Sequence, residues 1–570
     1  MWRFLKRNKR WVKHEIAPED IFLDSSNLPE FDQYQMEGRI EMAISQRNIL
    51  VLGACFIVVM IFLGGRAYAL QIINGSKYAE HSMRNSLSND FIFADRGIIT
   101  DRNGSLLAWN VPSQEVGGYA PRQYIEAGGF GNLLGYVRYP AKDTSGFYYK
   151  TELSGASGIE LHFNDLLAGS NGLKIVEADV RGDIQSESTI RPPEQGEKLI
   201  LSIDAEVQKI LYTSLKQTID TSGFVGGGGI IMDVHTGEVL AVATYPEFSA
   251  QVMTDGNDGE AVNAYFNDER NPFLFRAISG LYAPGSILKP FIALGALNEN
   301  IISPEKEIES KGFISIPNPY NPDLPTVFRD WKINGWTDVR EAIAVSSDVY
   351  FYAIGGGYLD QKGMGIAMID KYVEMFGFAQ PLQPSFFSVR NNGVIPTPEW
   401  KLETFNGDPW RLGNTYHASI GQFGFLVTPV QAVRAISALV TEGKGAEPQI
   451  IKRGEQGSTD TKTISFSGIE KQHLKTAKEG MRMAVTEGTM QSLNLPYVQV
   501  AGKTGTAEIG SQKKFIHSWS TGYFPYENPR YAFALILEKG PAEYAEGASP
   551  AMRRVFEGMN ASPSTQHYLK

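Results

Sequence analysis

A chain of 570 residues is long enough for two or three folding units, since single cores stop growing at about 250 to 300 residues. Its 42% hydrophobic and 20% charged residues make an ordinary globular composition, which confines any membrane part to a small share of the length. The net charge of -10 excludes a nucleic-acid partner, because a polyanion is met by clustered Lys and Arg, and the dense basic run here is confined to Arg3, Lys6, Arg7, Lys9, Arg10 and Lys13.

That run opens an expected cytoplasmic tail over residues 1–47. From Asn48 to Gly65 the chain is uncharged and rich in Ile, Leu, Val and Phe, between Arg47 and Arg66. At about 1.5 Å per residue it spans roughly 27 Å, close to a hydrocarbon core, and predicts one transmembrane helix over 48–65. Ala67-Tyr68-Ala69 resembles a signal cleavage site, but the segment before the apolar run is far longer than a signal n-region. Arg39 and Arg47 on one flank balance Arg66, Lys77 and Arg84 on the other, so the distal basic cluster sets the N-terminus inside and about 500 residues outside. The single cysteine, Cys55, lies within the apolar segment, so neither a disulfide nor a cysteine-based metal site can form within one chain. The eight histidines show no HExxH spacing, and neither a metal nor a cofactor is expected.

A β-rich unit is predicted over 66–196. Phe91 to Thr100 reads as strand, and Asp101-Arg102-Asn103-Gly104 is a hairpin signal before Ser105-Leu106-Leu107-Ala108. The unit continues through the Gly-rich Ser154 to Leu161 and Val176 to Val180, and ends near Arg191-Pro192-Pro193-Glu194-Gln195-Gly196. A second unit, 197–570, opens with a helix from Asp204 to Leu215, then strands Gly226 to Ile231 and Glu238 to Ala243 around a His235-Thr236-Gly237 turn. Its late strands are Tyr497 to Ala501, Ser518 to Phe524 and Arg530 to Leu537, with a turn at Tyr526 to Pro529. The fold class is α+β, an antiparallel sheet packed against helices. Gly226 to Gly229 reads as a close-packed strand rather than a phosphate cradle.

Three motifs in this unit carry chemistry. Ser286-Ile287-Leu288-Lys289-Pro290 follows Pro284-Gly285, and Pro is tolerated in a first helical turn, so Ser286 is predicted at a helix N-terminus with Lys289 on the same face. An amine there can take the hydroxyl proton if its surroundings keep it uncharged. Ser346-Ser347-Asp348 is a polar triplet inside an apolar stretch, where Ser346 can relay a proton and Asp348 can accept from Lys289 or a substrate N–H. Lys503-Thr504-Gly505-Thr506 is no P-loop, because Tyr497 stands where the first glycine belongs. As a strand edge it offers the Lys503 charge for a carboxylate, hydroxyls and an N–H from Thr504 and Thr506, and close ligand approach at Gly505. The N–H groups of Ser286 and Thr506 are expected to form an oxyanion hole. Each motif alone is weak. Ser303 to Lys306 and Ser511 to Lys514 also fit the first, and Ser88 to Asp90, Ser202 to Asp204 and Ser458 to Asp460 fit the second.

In this order and context the motifs resemble the penicilloyl-serine transferase (β-lactamase-like) superfamily. Arg96-Gly97-Ile98-Ile99-Thr100-Asp101-Arg102-Asn103-Gly104 and Gly158-Ile159-Glu160 resemble the pedestal, or dimerisation-like, domain of class B penicillin-binding proteins. Pro396 to Lys401, Trp410, Ser419 to Gln422 and Thr428 to Gln431 resemble the elongation-type subgroup, penicillin-binding protein 2. The resemblance implies D,D-transpeptidation of peptidoglycan stem peptides ending in D-Ala-D-Ala, with Ser286 forming an acyl-enzyme that β-lactams trap. It further implies a role in cell elongation and shape at the bacterial inner membrane, and a polytopic membrane glycan polymerase as partner. Asp348 stands where the superfamily more often has Asn, and the stretch between Asn110 and Gly158 is short for a pedestal head. The competing readings are a β-lactam hydrolase or D,D-carboxypeptidase, where water resolves the acyl-enzyme, and a non-catalytic scaffold for the polymerase.

Overall fold

The computed structural model describes residues 45–78, 87–113, 118–144, 148–178, 184–318, 321, 323–382, 392–455, 463–510, 513–543 and 546–570. The basic cluster at 3–13, Arg39, Arg84, Ser511 and the Ser458 to Asp460 triplet lie outside them. Two compact units divide the chain, one ending at Leu87 and one running from Ser88 to Lys570.

In the first unit a single apolar helix, α1 (Gln46–Tyr68), continues through a π turn at Ala69–Ile73. It is long and apolar enough to cross a membrane over Gln46–Ile73, and no other described helix is. The helix extends beyond the predicted 48–65 because Ala67 to Ile73 are again uncharged, leaving Arg66 inside it; 28 residues at about 1.5 Å each reach roughly 42 Å.

The second unit begins one residue into β1 (Leu87–Ile92), followed by β2 (Ile99–Thr100), β3 (Leu106–Asn110) and β4 (Arg122–Tyr124). The strand predicted from Phe91 to Thr100 is therefore broken between Ile92 and Ile99. Arg96 turns its side chain into the interior there, and a Cβ on Gly97 would lie 1.9 Å from the Glu197 carbonyl. The Asn-Gly hairpin forms between β2 and β3, its Asp101 carboxylate accepting from the Asn103 and Ser105 amides at 2.9 and 2.7 Å. Within the Gly-rich segment the chain becomes helical, as α2 (Gly158–His162). Strands β5 (Gly172–Ala178) and β6 (Ile184–Arg191) join β1 in a three-stranded sheet. Past the expected boundary at 196, β7 (Leu199–Ile200) pairs parallel with β2.

Arg96 and Glu160, 64 positions apart, meet as an ion pair at 2.5 Å, and Arg122 reaches the other Glu160 oxygen at 2.8 Å. All three side chains are fully buried. Arg96 also donates to the Glu160 and Leu153 carbonyls, so the guanidinium is solvated by backbone as well as by charge.

Asp204 caps α3 (Ala205–Ser222) by accepting from Glu206 and Val207 amides at 3.0 and 3.2 Å. Then follow β8 (Gly226–Asp233), β9 (Val239–Tyr245), α4 (Lys289–Asn298), β10 (Thr326–Arg329), α5 (Val339–Val345), α6 (Asp348–Gly356), α7 (Leu412–Ser419), α8 (Pro429–Val440) and α9 (Lys471–Thr486). Last come β11 (Ala501–Ile509), β12 (Phe515–Phe524), β13 (Tyr531–Pro541) and α10 (Ala548–Ala561). The strand predicted from Tyr497 starts instead at Ala501: Pro496 lacks an N–H, and Leu495 and Val498 close only an isolated bridge.

The central sheet is antiparallel in the order β9-β8-β13-β12-β11. It is buried on both faces, and alternate residues take opposite sides. Phe533, Leu535 and Leu537 of β13 pack with α3 and α10, while Ala532, Ala534 and Ile536 face the core that holds α4, α5, α6 and α8. The glycines of β8 are needed for packing, since a Cβ on Gly227, Gly228 or Gly229 would lie 2.6 to 2.9 Å from the Ile536 carbonyl, the Ala277 amide or the Leu211 side chain. β11 is an edge strand, open to a ligand on its outer side.

Glu160→Ala leaves two guanidiniums buried without a counter-charge, and a cost of about 3–5 kcal/mol is expected. Denaturant titration is expected to show the loss as a lowered midpoint.

Candidate active site

Ser286 lies in a 3-10 turn, Gly285–Leu288, that runs directly into α4 with Pro290 in its first turn. The turn is wedged between two backbones. Gly285 has φ +56, and its amide donates to the Gly421 carbonyl at 2.9 Å. Gly421 itself has φ +74, and a Cβ there would lie 2.1 Å from the Gly285 carbonyl. On the other side a Cβ on Gly505 of β11 would lie 2.7 Å from the Pro284 carbonyl. The close approach expected of a ligand at Gly505 is thus made by the chain's own serine turn. Trp519 of β12 donates from its indole to the Ala283 carbonyl at 2.9 Å, fixing the entry to the turn.

Ser346 ends α5 in the left-handed region, φ +59, and Ser347 caps α6. That reversal points the triplet at Lys289, whose ammonium donates to the Ser346 carbonyl at 2.8 Å, the Ser346 hydroxyl at 3.2 Å and an Asp348 oxygen at 2.6 Å. Lys289 is fully buried, with the Phe351 ring 5.3 Å from its nitrogen. Asp348 keeps 18% of its side chain exposed, and burial holds its carboxyl above the usual aspartate value even against the Lys289 ammonium.

Parity along β11 separates the third motif. Lys503, Gly505 and Ala507 are buried, whereas Thr504, Thr506 and Glu508 face the outside. Lys503 is fully buried and donates to the Thr504 carbonyl at 3.0 Å. Burial, followed by repulsion from Lys289, pushes its amine well below the ordinary lysine value of 10.5. The side chain expected to supply a positive charge for a carboxylate is thus buried, within electrostatic reach of Lys289 and Asp348.

A groove of about 980 Å³ joins the three motifs, lined by Ser286, Ser346, Asp348, Thr504 and Thr506. Further lining side chains went unmarked in the sequence: Asp330 and Trp331 after β10, Thr489, His417, Glu508 and Lys513. Thr489 shares a 2.7 Å hydroxyl contact with Thr504, and Lys513 pairs with Glu508. Burial, then the Lys513 charge, lowers His417. These residues had no recognisable spacing; only the indole of Trp331 in a short polar loop was a usable signal. The alternative Ser303 is exposed in a loop, and the Ser202 hydroxyl is buried, donating to the Val239 carbonyl at 2.8 Å. Among the described residues no group of three or more His, Cys, Asp and Glu is placed to hold a metal.

A serine turn, two buried amines and an edge strand along one groove define the fold of a penicillin-binding transpeptidase. A family model for the penicillin-binding protein transpeptidase domain matches residues 227–557, and one for the penicillin-binding protein dimerisation domain matches 117–201. The chain is 31% identical to the peptidoglycan D,D-transpeptidase MrdA of Haemophilus influenzae over 79% of its own length and 71% of that protein, and 27% identical to MrdA of Escherichia coli over 79% and 72%. Among solved structures it is similar to PBP2 of Pseudomonas aeruginosa in complex with WCK 5153, with TM-score 0.68 and 26% identity over 84% of this chain and 98% of that one. It is also similar to PBP2 of Helicobacter pylori in a complex with MreC, with TM-score 0.67 and 25% identity over 83% and 99%. The chain belongs to the penicillin-binding protein transpeptidase family.

Gly421→Ala forces a Cβ into the Gly285 carbonyl and displaces the Ser286 turn. Stopped-flow acylation with a fluorescent penicillin is expected to slow by about 10²-fold, the cost of misplacing a reacting group by roughly 1 Å.

Proposed function

We propose that this chain is a peptidoglycan D,D-transpeptidase of the elongation type, anchored by α1, with Ser286 as nucleophile. The observation that carries the reading is the Lys289 ammonium bound to both Ser346 and Asp348 along the groove that Ser286 and Thr506 line. The Ser286 oxygen attacks the carbonyl of the penultimate D-alanine, and its proton passes to an unprotonated amine of the Lys289 and Lys503 cluster. Ser346, 3.2 Å from the Lys289 nitrogen, relays a proton to the departing D-alanine amine. The Ser286 and Thr506 N–H groups hold the developing oxyanion. An amine from a neighbouring stem peptide then attacks the ester carbonyl, forming the cross-link and returning the Ser286 hydroxyl. Asp348, acceptor for Lys289 through one oxygen, offers the other to a substrate N–H, and Thr504 and Gly505 border the donor peptide.

Residues 1–47 form the cytoplasmic tail, 66–196 the pedestal and 197–570 the catalytic domain, on the outer face of the inner membrane. The basic cluster at 3–13 supports that orientation. A polytopic glycan polymerase is the partner; similarity to a chain from a study of polymerization and crosslinking by a peptidoglycan synthase complex supports it, at TM-score 0.69.

Penicillin is expected to label Ser286 in a long-lived adduct, and Ser286→Ala to abolish both labelling and cross-linking in a reconstituted assay. An adduct that turns over within seconds identifies a hydrolase, and full cross-linking by Ser286→Ala identifies a scaffold. A lowered Lys503 loses its neutral form only on acidification through that lowered value, so the acylation rate is expected to rise with pH and level off well below 10.5. Lys503→Arg stays protonated throughout and is expected to acylate slowly, without that rise, in the same pH series.

A further inference from the structure

The Ser346-Ser347-Asp348 turn is held from outside by two residues of the loop that follows β10. One oxygen of Asp330 accepts from the Ser347 hydroxyl at 2.9 Å, the Val349 amide at 3.1 Å, the Ser310 hydroxyl at 3.0 Å and the Asn334 side-chain amide at 3.1 Å. Its other oxygen accepts from the Trp331 amide at 2.9 Å. The Trp331 indole donates to the Ser346 carbonyl at 3.2 Å, the same oxygen that accepts from Lys289 at 2.8 Å. Ser346 is in a left-handed conformation that a non-glycine residue adopts only at a cost, so its place depends on such outside contacts. Ser347 is fully buried, and its hydroxyl has the Asp330 carboxylate as acceptor. Trp331, by contrast, is 57% exposed and lines the groove, so its indole contributes little to the core.

We propose that Asp330 and Trp331 are positioning residues for acyl transfer: they fix the turn that holds the Ser346 hydroxyl and the Asp348 carboxylate against Lys289. The inference rests on Ser286 as the nucleophile. Both residues act through the turn, so they set the rate of the bond-forming step and leave the docking of the acyl donor nearly unchanged.

The test separates the dissociation constant of a fluorescent penicillin from its acylation rate constant, by stopped flow on the full chain in detergent. Asp330→Ala is expected to lower the rate constant by about 10²-fold with the dissociation constant within about threefold. Asp330→Asn, whose carbonyl still accepts from Ser347 and Val349, is expected to restore about tenfold of that loss. Trp331→Phe keeps the ring and removes one donor, and is expected to slow acylation about fivefold with unchanged thermal unfolding. If Asp330→Ala does not fold, Trp331→Phe decides. Acylation by both variants within twofold of the parent overturns the inference, as does a parallel loss of binding and rate that Asp330→Asn leaves unrepaired. Mapping of the parent's adduct by mass spectrometry keeps the cases apart: attachment away from Ser286 overturns the nucleophile assignment itself, whereas attachment at Ser286 with unaffected variants overturns only the positioning roles.

Discussion

One ammonium ties the catalytic half of this protein together. Lys289 has three N–H donors and gives all three to the Ser346-Ser347-Asp348 turn, although the two segments stand 57 positions apart at their nearest contact. A fully buried ammonium is tolerable only when its donors are satisfied and a counter-charge is adjacent; Ser346 takes two of the donors, and Asp348 at 2.6 Å takes the third and supplies the charge. The same carboxylate acts only in part on Lys503, and burial followed by repulsion from Lys289 pushes that amine below its ordinary value. The proton inventory of the site therefore follows from two amines and one carboxylate sharing a small desolvated volume, rather than from any single residue.

The remaining structure serves to bring backbones within contact of that cluster. The serine turn sits between Gly421 and Gly505, and at both points a side chain would collide with main chain. Ser419 to Gln422, read in the sequence as a subgroup mark, has a physical task here, since Gly421 closes one wall of the nucleophile turn. The edge position of β11 matters equally. Its backbone is unpaired on one side, and strand parity sends the threonine hydroxyls to the groove while Lys503 goes inward.

The β-rich region ahead of the catalytic domain repeats the same principle of polar satisfaction at a distance from the site. Arg96 and Glu160 belong to two motifs that the sequence presents as unrelated, and they meet with Arg122 in a fully buried triad. The hairpin beyond is joined to the catalytic half: Asp101 accepts from the Ala205 amide at 3.1 Å, and Asn103 donates to Asp204 at 2.9 Å. Gln208 bridges Gly129 and Val242 by donating to both carbonyls. Local backbone needs, namely the open first turn of α3 and the buried carbonyls of the sheet, are thus met by residues from the other segment.

Local chemistry was legible in the chain by itself. Pro290 after a Pro-Gly stop marked the helix behind Ser286, Asn103-Gly104 marked a hairpin, and an uncharged stretch marked the apolar helix, since each depends on neighbours within a turn or two. Boundaries blurred where a long-range demand overrode the pattern, as at Arg96, whose burial breaks a strand, and at Pro496, which delays one. The direction in which Lys503 points, the use of Gly505 by the protein rather than by a ligand, and the grip of Asp330 and Trp331 on the Ser346 turn were decided only in the tertiary structure. Each depends on which backbone from a distant part of the chain arrives alongside, and no local periodicity encodes that.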